Sequence, residues 1–174
     1  MGFKVGDNIV YAGSGVCQID AIKDISFFRE KPQKYYVLKP LFVRQSQVLY
    51  VPLDNPAQVE RIRPVLSKKE AIALIDKLPF GDSLEWIDDR NDRKDAFADI
   101  IVNGTREDIM RMIFLIKSHA AKLSEEGKHL NAQDERALND ARSRMNNEIA
   151  LALDIEPDEV IELIQEKTEM VDFA

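Results

Sequence analysis

The chain has 174 residues, 45% hydrophobic and 32% charged, with 24 Lys+Arg against 31 Asp+Glu and a formal net charge of −7. That apolar content can build the core of one large domain or two small ones, and seven glycines and seven prolines are too few for a fibrous or linker-like chain. One cysteine, Cys17, excludes a disulfide framework and a multi-cysteine metal site, and no apolar run approaches the roughly 18 residues of a membrane span.

FKVGDNIVY (3–11), VCQIDAI (16–22), YYVLK (35–39) and QVLYV (47–51) are rich in Val, Ile, Tyr and Phe and read as short strands. Gly6-Asp7, Gly13-Ser14-Gly15 and Lys31-Pro32 supply turns beside them, and Pro40, Pro52, Pro56 and Pro64 punctuate strand ends, where a missing N–H is tolerated. The close spacing of strand starts predicts a small barrel or strongly bent sheet rather than a βαβ unit. After Pro64 the period becomes helical. Ser67 and Glu70 have capping-box spacing ahead of Ala71, Leu74, Ile75 and Leu78, and Pro79-Phe80-Gly81 stops that helix. A second helix covers about 88–102, ending near Asn103-Gly104. Thr105 caps a third, with Ile109, Met112, Ile113 and Ile116 on one face. Glu125 to Lys128 is a loop; Asn131 then caps a long helix with Leu138, Ala141, Met145, Ile149 and Leu153 inside. Pro157 begins a last helix carrying Val160, Ile161 and Ile164. The expected architecture is α+β in two domains: a small β barrel over 1–65 and an all-α domain over 66–174.

The charge is unevenly spread. Residues 1–66 hold nine basic and six acidic residues, 67–144 hold 14 and 16, and 145–174 hold one basic residue, Lys167, and nine acidic ones. The acidity belongs to the last thirty residues. A net charge of −7 excludes a strong autonomous nucleic-acid binder, not a nucleic-acid contact made under a partner's guidance.

Catalysis needs a constellation, and none stands out. Gly13-Ser14-Gly15 is too short for a phosphate fingerprint and precedes a strand, so it reads as a hairpin turn. Cys17 has no base beside it and reads as a buried thiol. His119 and His129 match no zinc spacing, and the pairs Asp88-Asp89, Glu125-Glu126 and Asp158-Glu159 splay around their helices as solvated surface. No catalytic residue, metal or cofactor is expected.

Trp86, the sole tryptophan, lies in the polar stretch GDSLEWIDDRNDRKD (81–95) and is read in two ways. It either plugs a junction between helices or forms a surface feature with its cationic neighbours. On a helical wheel Arg93 and Lys94 lie within about 60° of Arg90, with Phe97 and Ile101 between them, whereas Asp88, Asp92, Asp95 and Asp99 lie about 140–200° away. Cations beside an aromatic suit a minor-groove wedge, in which the cations hold phosphate and the ring partly unstacks a base step. The bland reading has the cations cover the core rim with their stems.

FKVGDNIVYAGSGVCQIDAI (3–22), KYYVLKP (34–40), LYVPLDN (49–55) and IRP (62–64) resemble the CarD/CdnL family of bacterial RNA polymerase-binding transcription regulators. The related polymerase-interacting module of the transcription-repair coupling factor shares only this first half. The second half also resembles CarD: a charged helix after Trp86, then NGTREDIMRMIFLI (103–116) and DERALNDARSRMNNEIALAL (134–153). The resemblance implies a Tudor-like or SH3-like barrel that docks on the β-subunit lobe of RNA polymerase. It further implies a helical domain that places a tryptophan, here Trp86, in the minor groove at the upstream edge of the promoter bubble and stabilises the open complex. Such a protein is expected to be a cytoplasmic monomer, nucleoid-associated through polymerase, with weak and largely sequence-independent DNA contact and no membrane partner; MGFKVGDN does not read as a signal peptide.

Three departures from the family pattern bear on the sites, one being a longer stretch between Trp86 and Gly104 than the family carries. Where family members often carry arginines in the barrel, this chain has Lys23-Asp24-Ile25 and Tyr50, so the polymerase contact is expected to be more apolar, through Ile25, Phe27, Leu49 and Tyr50. Next to Trp86 the family pattern is basic, whereas here Ile87-Asp88-Asp89 intervenes before Arg90. Arg90, Arg93 and Lys94 are the first candidates for phosphate contact, Arg136 the second and Lys128 a weaker one. The alternative function is a polymerase-binding adaptor whose helical domain meets a protein partner and not DNA.

Overall fold

The structure is a computed structural model that describes residues 2–43, 47–80 and 84–169. The chain divides into two compact units, Met1–Val65 and Leu66–Ala174.

The first unit is a five-stranded antiparallel sheet: β1 (Asn8–Tyr11), β2 (Gly15–Ile25), β3 (Gln33–Pro40), β4 (Leu49–Pro52) and β5 (Ile62–Pro64), with the one-turn helix α1 (Pro56–Val59) before β5. The spatial order is β4-β3-β2-β1-β5. β1 and β2 form a hairpin around Ser14, whose N–H bonds the Tyr11 carbonyl at 2.9 Å, and Gly15 enters β2 at φ +74. β2 is long enough to serve two partners because it bends. Ile19 faces Leu38 while Ala21 faces Val37, which leaves Asp20 as the extra residue of a bulge. Alternation then sends Ile9, Cys17, Ile19, Tyr36, Leu38, Val51 and Ile62 to one buried cluster.

Of the small barrel or strongly bent sheet expected, the described residues form a sheet that is not closed, with β4 and β5 at its edges. Those strands have four and three residues and end on Pro52 and Pro64, whose nitrogens carry no proton for a ladder. β5 was not among the four predicted strands: three residues carry no readable alternation, and its pairing with β1 joins Ile62 to Tyr11 across the whole unit.

The second unit is helical. α2 (Lys68–Asp76) starts with a full capping box between Ser67 and Glu70, and α4 (Arg106–Glu125) with one between Thr105 and Asp108. α3 (Arg90–Asn103) is capped by Asp89, which accepts from the N–H groups of Asn91 and Asp92. Gly104 ends α3 with its Cα close to the Ile100 carbonyl; a Cβ there would lie 2.5 Å from that oxygen, so only glycine fits. Asn131 caps α5 (Ala132–Leu153), and Pro157 opens α6 (Pro157–Thr168). α5 packs against α2, α3, α4 and α6, and its stripe of Leu138, Ala141, Met145 and Ile149 meets Ile109, Met112, Ile113 and Ile116 of α4 in one core. Glu148, buried on α5, accepts from the Leu66 backbone N–H at 3.0 Å and from Arg106 at 2.7 Å, tying the start of the unit to its central helix.

Candidate functional site

Trp86 sits in the non-helical stretch just before α3 and is half-buried against the helical core. Three side chains hold it. The His119 ring of α4 stacks on it at 3.6 Å, 11° from parallel; Phe97 meets it edge-on at 6.1 Å; and the Arg93 guanidinium carbon lies 4.5 Å from its ring centre.

Arg93 lies on the side of α3 that carries Phe97 and Ile101. It is buried, with its Nε and Nη2 donating to the two carboxylate oxygens of Asp134 at 2.9 and 2.8 Å. Its Nη1 donates to the carbonyls of Ile87 and Asp88 at 2.7 and 3.1 Å. The hydrogen bonds to Asp134 raise its pKa above the ordinary arginine value, so the guanidinium stays charged at any pH the fold survives. The cause is geometric. Arg93 precedes Phe97 and Ile101 by four and eight residues and shares their buried stripe. Asp134 likewise precedes Leu138 by four on α5. Asn131 donates to Asp134 at 2.5 Å, and Gln133 Nε2 donates to the Arg90 carbonyl at 2.9 Å, so the first turns of α3 and α5 lie side by side. Arg93 is therefore a scaffold for the segment that carries Trp86, not a solvent-facing cation.

The other candidate cations lie at the surface. Arg90 and Lys94 are exposed on the first turns of α3, and Arg136 is exposed three residues after Gln133. Lys128 is exposed and paired with Glu126 at 2.8 Å. Trp86, Arg90 and the first turn of α5 are thus brought together, with Arg136 one turn along. His119 was missed as a neighbour of Trp86. The signal available was its position on the continuation of the Ile109–Ile116 stripe, where an apolar residue is the default.

In the sheet unit, Phe27 contacts Tyr35 and Tyr50 edge-on, at 5.5 and 5.6 Å between ring centres. Phe27 and Tyr50 are exposed, Tyr35 and Ile25 half-buried. Leu49 is half-buried. It neighbours Tyr50 on β4, so its side chain takes the opposite face and packs against the core. Two features escaped the sequence reading. Tyr35 completes the aromatic cluster from β3, and Phe28 stands at the tip of the β2–β3 turn, 98% exposed. Phe28 and Arg29 adopt φ of +53 and +67 while Glu30 N–H bonds the Phe27 carbonyl at 3.1 Å. A bulky residue in the left-handed region is strained, and such strain clusters at functional surfaces.

Among the described residues no group of three or more His, Cys, Asp or Glu is placed to hold a metal ion, and no helix is long and apolar enough to cross a membrane. Cys17 is buried at 0% exposure, between Ile9 and Pro40 in register. The molecule is thus a two-unit protein, an antiparallel sheet module with an exposed aromatic cluster followed by a helical unit. Residues 3–66 match the model of the CarD-like/TRCF RID domain, so the sheet unit is similar to that domain. No curated protein matches the chain.

Proposed function

We propose that this protein is a transcription regulator that binds the β-subunit lobe of bacterial RNA polymerase through its sheet unit and stabilises the promoter open complex through Trp86. The family match over residues 3–66 carries the polymerase half of this reading. Phe27, Tyr35 and Tyr50, flanked by Ile25, provide an apolar face in place of an ionic one. The β4 edge, at the end of the strand order among the described residues, offers backbone groups for strand addition.

For the helical unit, the supporting observation is the half-buried Trp86 beside exposed Arg90 and Lys94 on the first turns of a capped helix. The cations hold phosphate, Arg136 extends the contact, and the ring wedges into the minor groove where the duplex is already distorted. The mechanism is a bias without chemistry. A wedge that fits the distorted upstream junction better than intact duplex shifts the equilibrium by its differential affinity, and about 1.4 kcal/mol is tenfold. Tethering to polymerase supplies the local concentration, so the acidic chain need not bind DNA alone. Readout is largely sequence-independent because the minor-groove code is degenerate.

The adaptor reading also has an observation in its favour, the packing of Trp86 against His119 and Phe97. Open-complex half-life under competitor challenge separates the two. Trp86→Ala is expected to keep its helical signal and polymerase affinity while the half-life falls severalfold. An unchanged half-life in a variant that still binds polymerase rejects the wedge in favour of the adaptor.

A further inference from the structure

Residues 84–88 belong to no helix or strand, and the bonds that anchor them run from Arg93 to the Ile87 and Asp88 carbonyls, beyond Trp86. An edge contact such as that from Phe97 leaves an indole free to tilt. A parallel partner sets its plane. His119 is the parallel ring, 3.6 Å away and 11° from parallel, and acts alongside the Arg93 guanidinium carbon 4.5 Å from the ring centre. Its position explains why. The buried face of α4 runs through Ile109, Met112, Ile113 and Ile116, and one turn later reaches His119 where the stripe leaves the core, half-buried. A flat ring one turn past the buried residues of α4, itself half-buried, is a seat braced from the core side.

We propose that His119 is a positioning residue that seats Trp86, setting the plane in which the indole meets DNA; the proposal rests on the DNA-contact reading above. An indole already held in one orientation loses less rotational freedom when it engages a base step, so the seat strengthens the contact without touching DNA. The requirement is for a flat ring at position 119 and not for an imidazole.

Trp86 is the only tryptophan, so its emission reports the seat directly. In the full chain, His119→Ala is expected to red-shift that emission and raise its quenching by acrylamide. It should also shorten the open-complex half-life by about two- to tenfold, the range of one aromatic pair, but by no more than Trp86→Ala does. Polymerase affinity stays unchanged. His119→Phe restores both emission and half-life, and adding His119→Ala to Trp86→Ala produces no further loss. A half-life unchanged or lengthened by His119→Ala, while Trp86→Ala shortens it, overturns the seat and leaves the DNA contact standing. A half-life that His119→Phe fails to restore, despite restored emission, also overturns it. If Trp86→Ala itself has no effect on half-life, the DNA contact falls and the seat's role falls with it.

Discussion

Replacing Asp134 by alanine strands the Arg93 guanidinium inside the helical unit. Side-chain exposures of 6% and 3% leave the pair almost no solvent screening, and its two hydrogen bonds are short and parallel. Removing one member of such a pair costs about 3–5 kcal/mol, because the survivor keeps its desolvation penalty without its partner. In a helical unit of this size about 1 kcal/mol moves the melting temperature by roughly 4 °C, so Asp134→Ala should melt roughly 12–20 °C lower. Replacing both partners, Arg93→Leu with Asp134→Leu, removes both charges and should recover most of that loss. The recovery is incomplete since the Ile87 and Asp88 carbonyls lose their donor. Thermal melts followed by helical circular dichroism read the stability, and Trp86 emission reads the local change, because Arg93 lies 4.5 Å from the ring. An Asp134→Ala protein that melts within about 3 °C of the parent, or a double variant as unstable as the sum of the singles, would refute the reasoning.

Thr105 and Asp108 give a pH-dependent test. The Thr105 hydroxyl, and then its backbone N–H, hold the Asp108 carboxylate below its usual range. A depressed folded-state pKa stabilises above the unfolded value, about 3.9, and that stability fades as pH falls through the lower folded value. Thr105→Ala should therefore cost about 1 kcal/mol in urea melts at pH 7 and less at pH 3; equal losses at both would discount the carboxylate's share. In the sheet unit, Phe27→Ser with Tyr50→Ser should weaken polymerase binding at least tenfold in a direct titration while barely changing its melting, since both rings are exposed. Undiminished affinity would move the docking surface elsewhere.

Much of the helical unit was legible because its signals are local. Ser67, Thr105 and Asn131 each cap the helix they precede, and each acts within three residues of itself. The apolar stripes of α4 and α5 repeat often enough to be read without a partner. The candidate site was legible only in part. The period groups Arg90 and Lys94 on one side of α3, and both are exposed there. The burial of Arg93 was not legible, because a guanidinium on an apolar stripe is equally a rim cation or half of an ion pair until its partner is located. Asp134 is that partner, 41 residues away on another helix. A charged residue four positions before an apolar stripe on both α3 and α5 was the available hint.

Residue order alone dictates where these helices start and stop, which face of each is apolar, and that a strand-rich half precedes them, since hydrogen-bond caps and side-chain periodicity act over a few residues. Three-dimensional packing decides what those faces meet. It orders the strands with β4 and β5 at the edges of the sheet. It turns Leu49 inward while gathering Phe27, Tyr35 and Tyr50, because strand register sorts side chains from three separate segments. It pulls Arg93 into the core and lays His119 against Trp86, because long-range contacts depend on which helices become neighbours, and no local period encodes that.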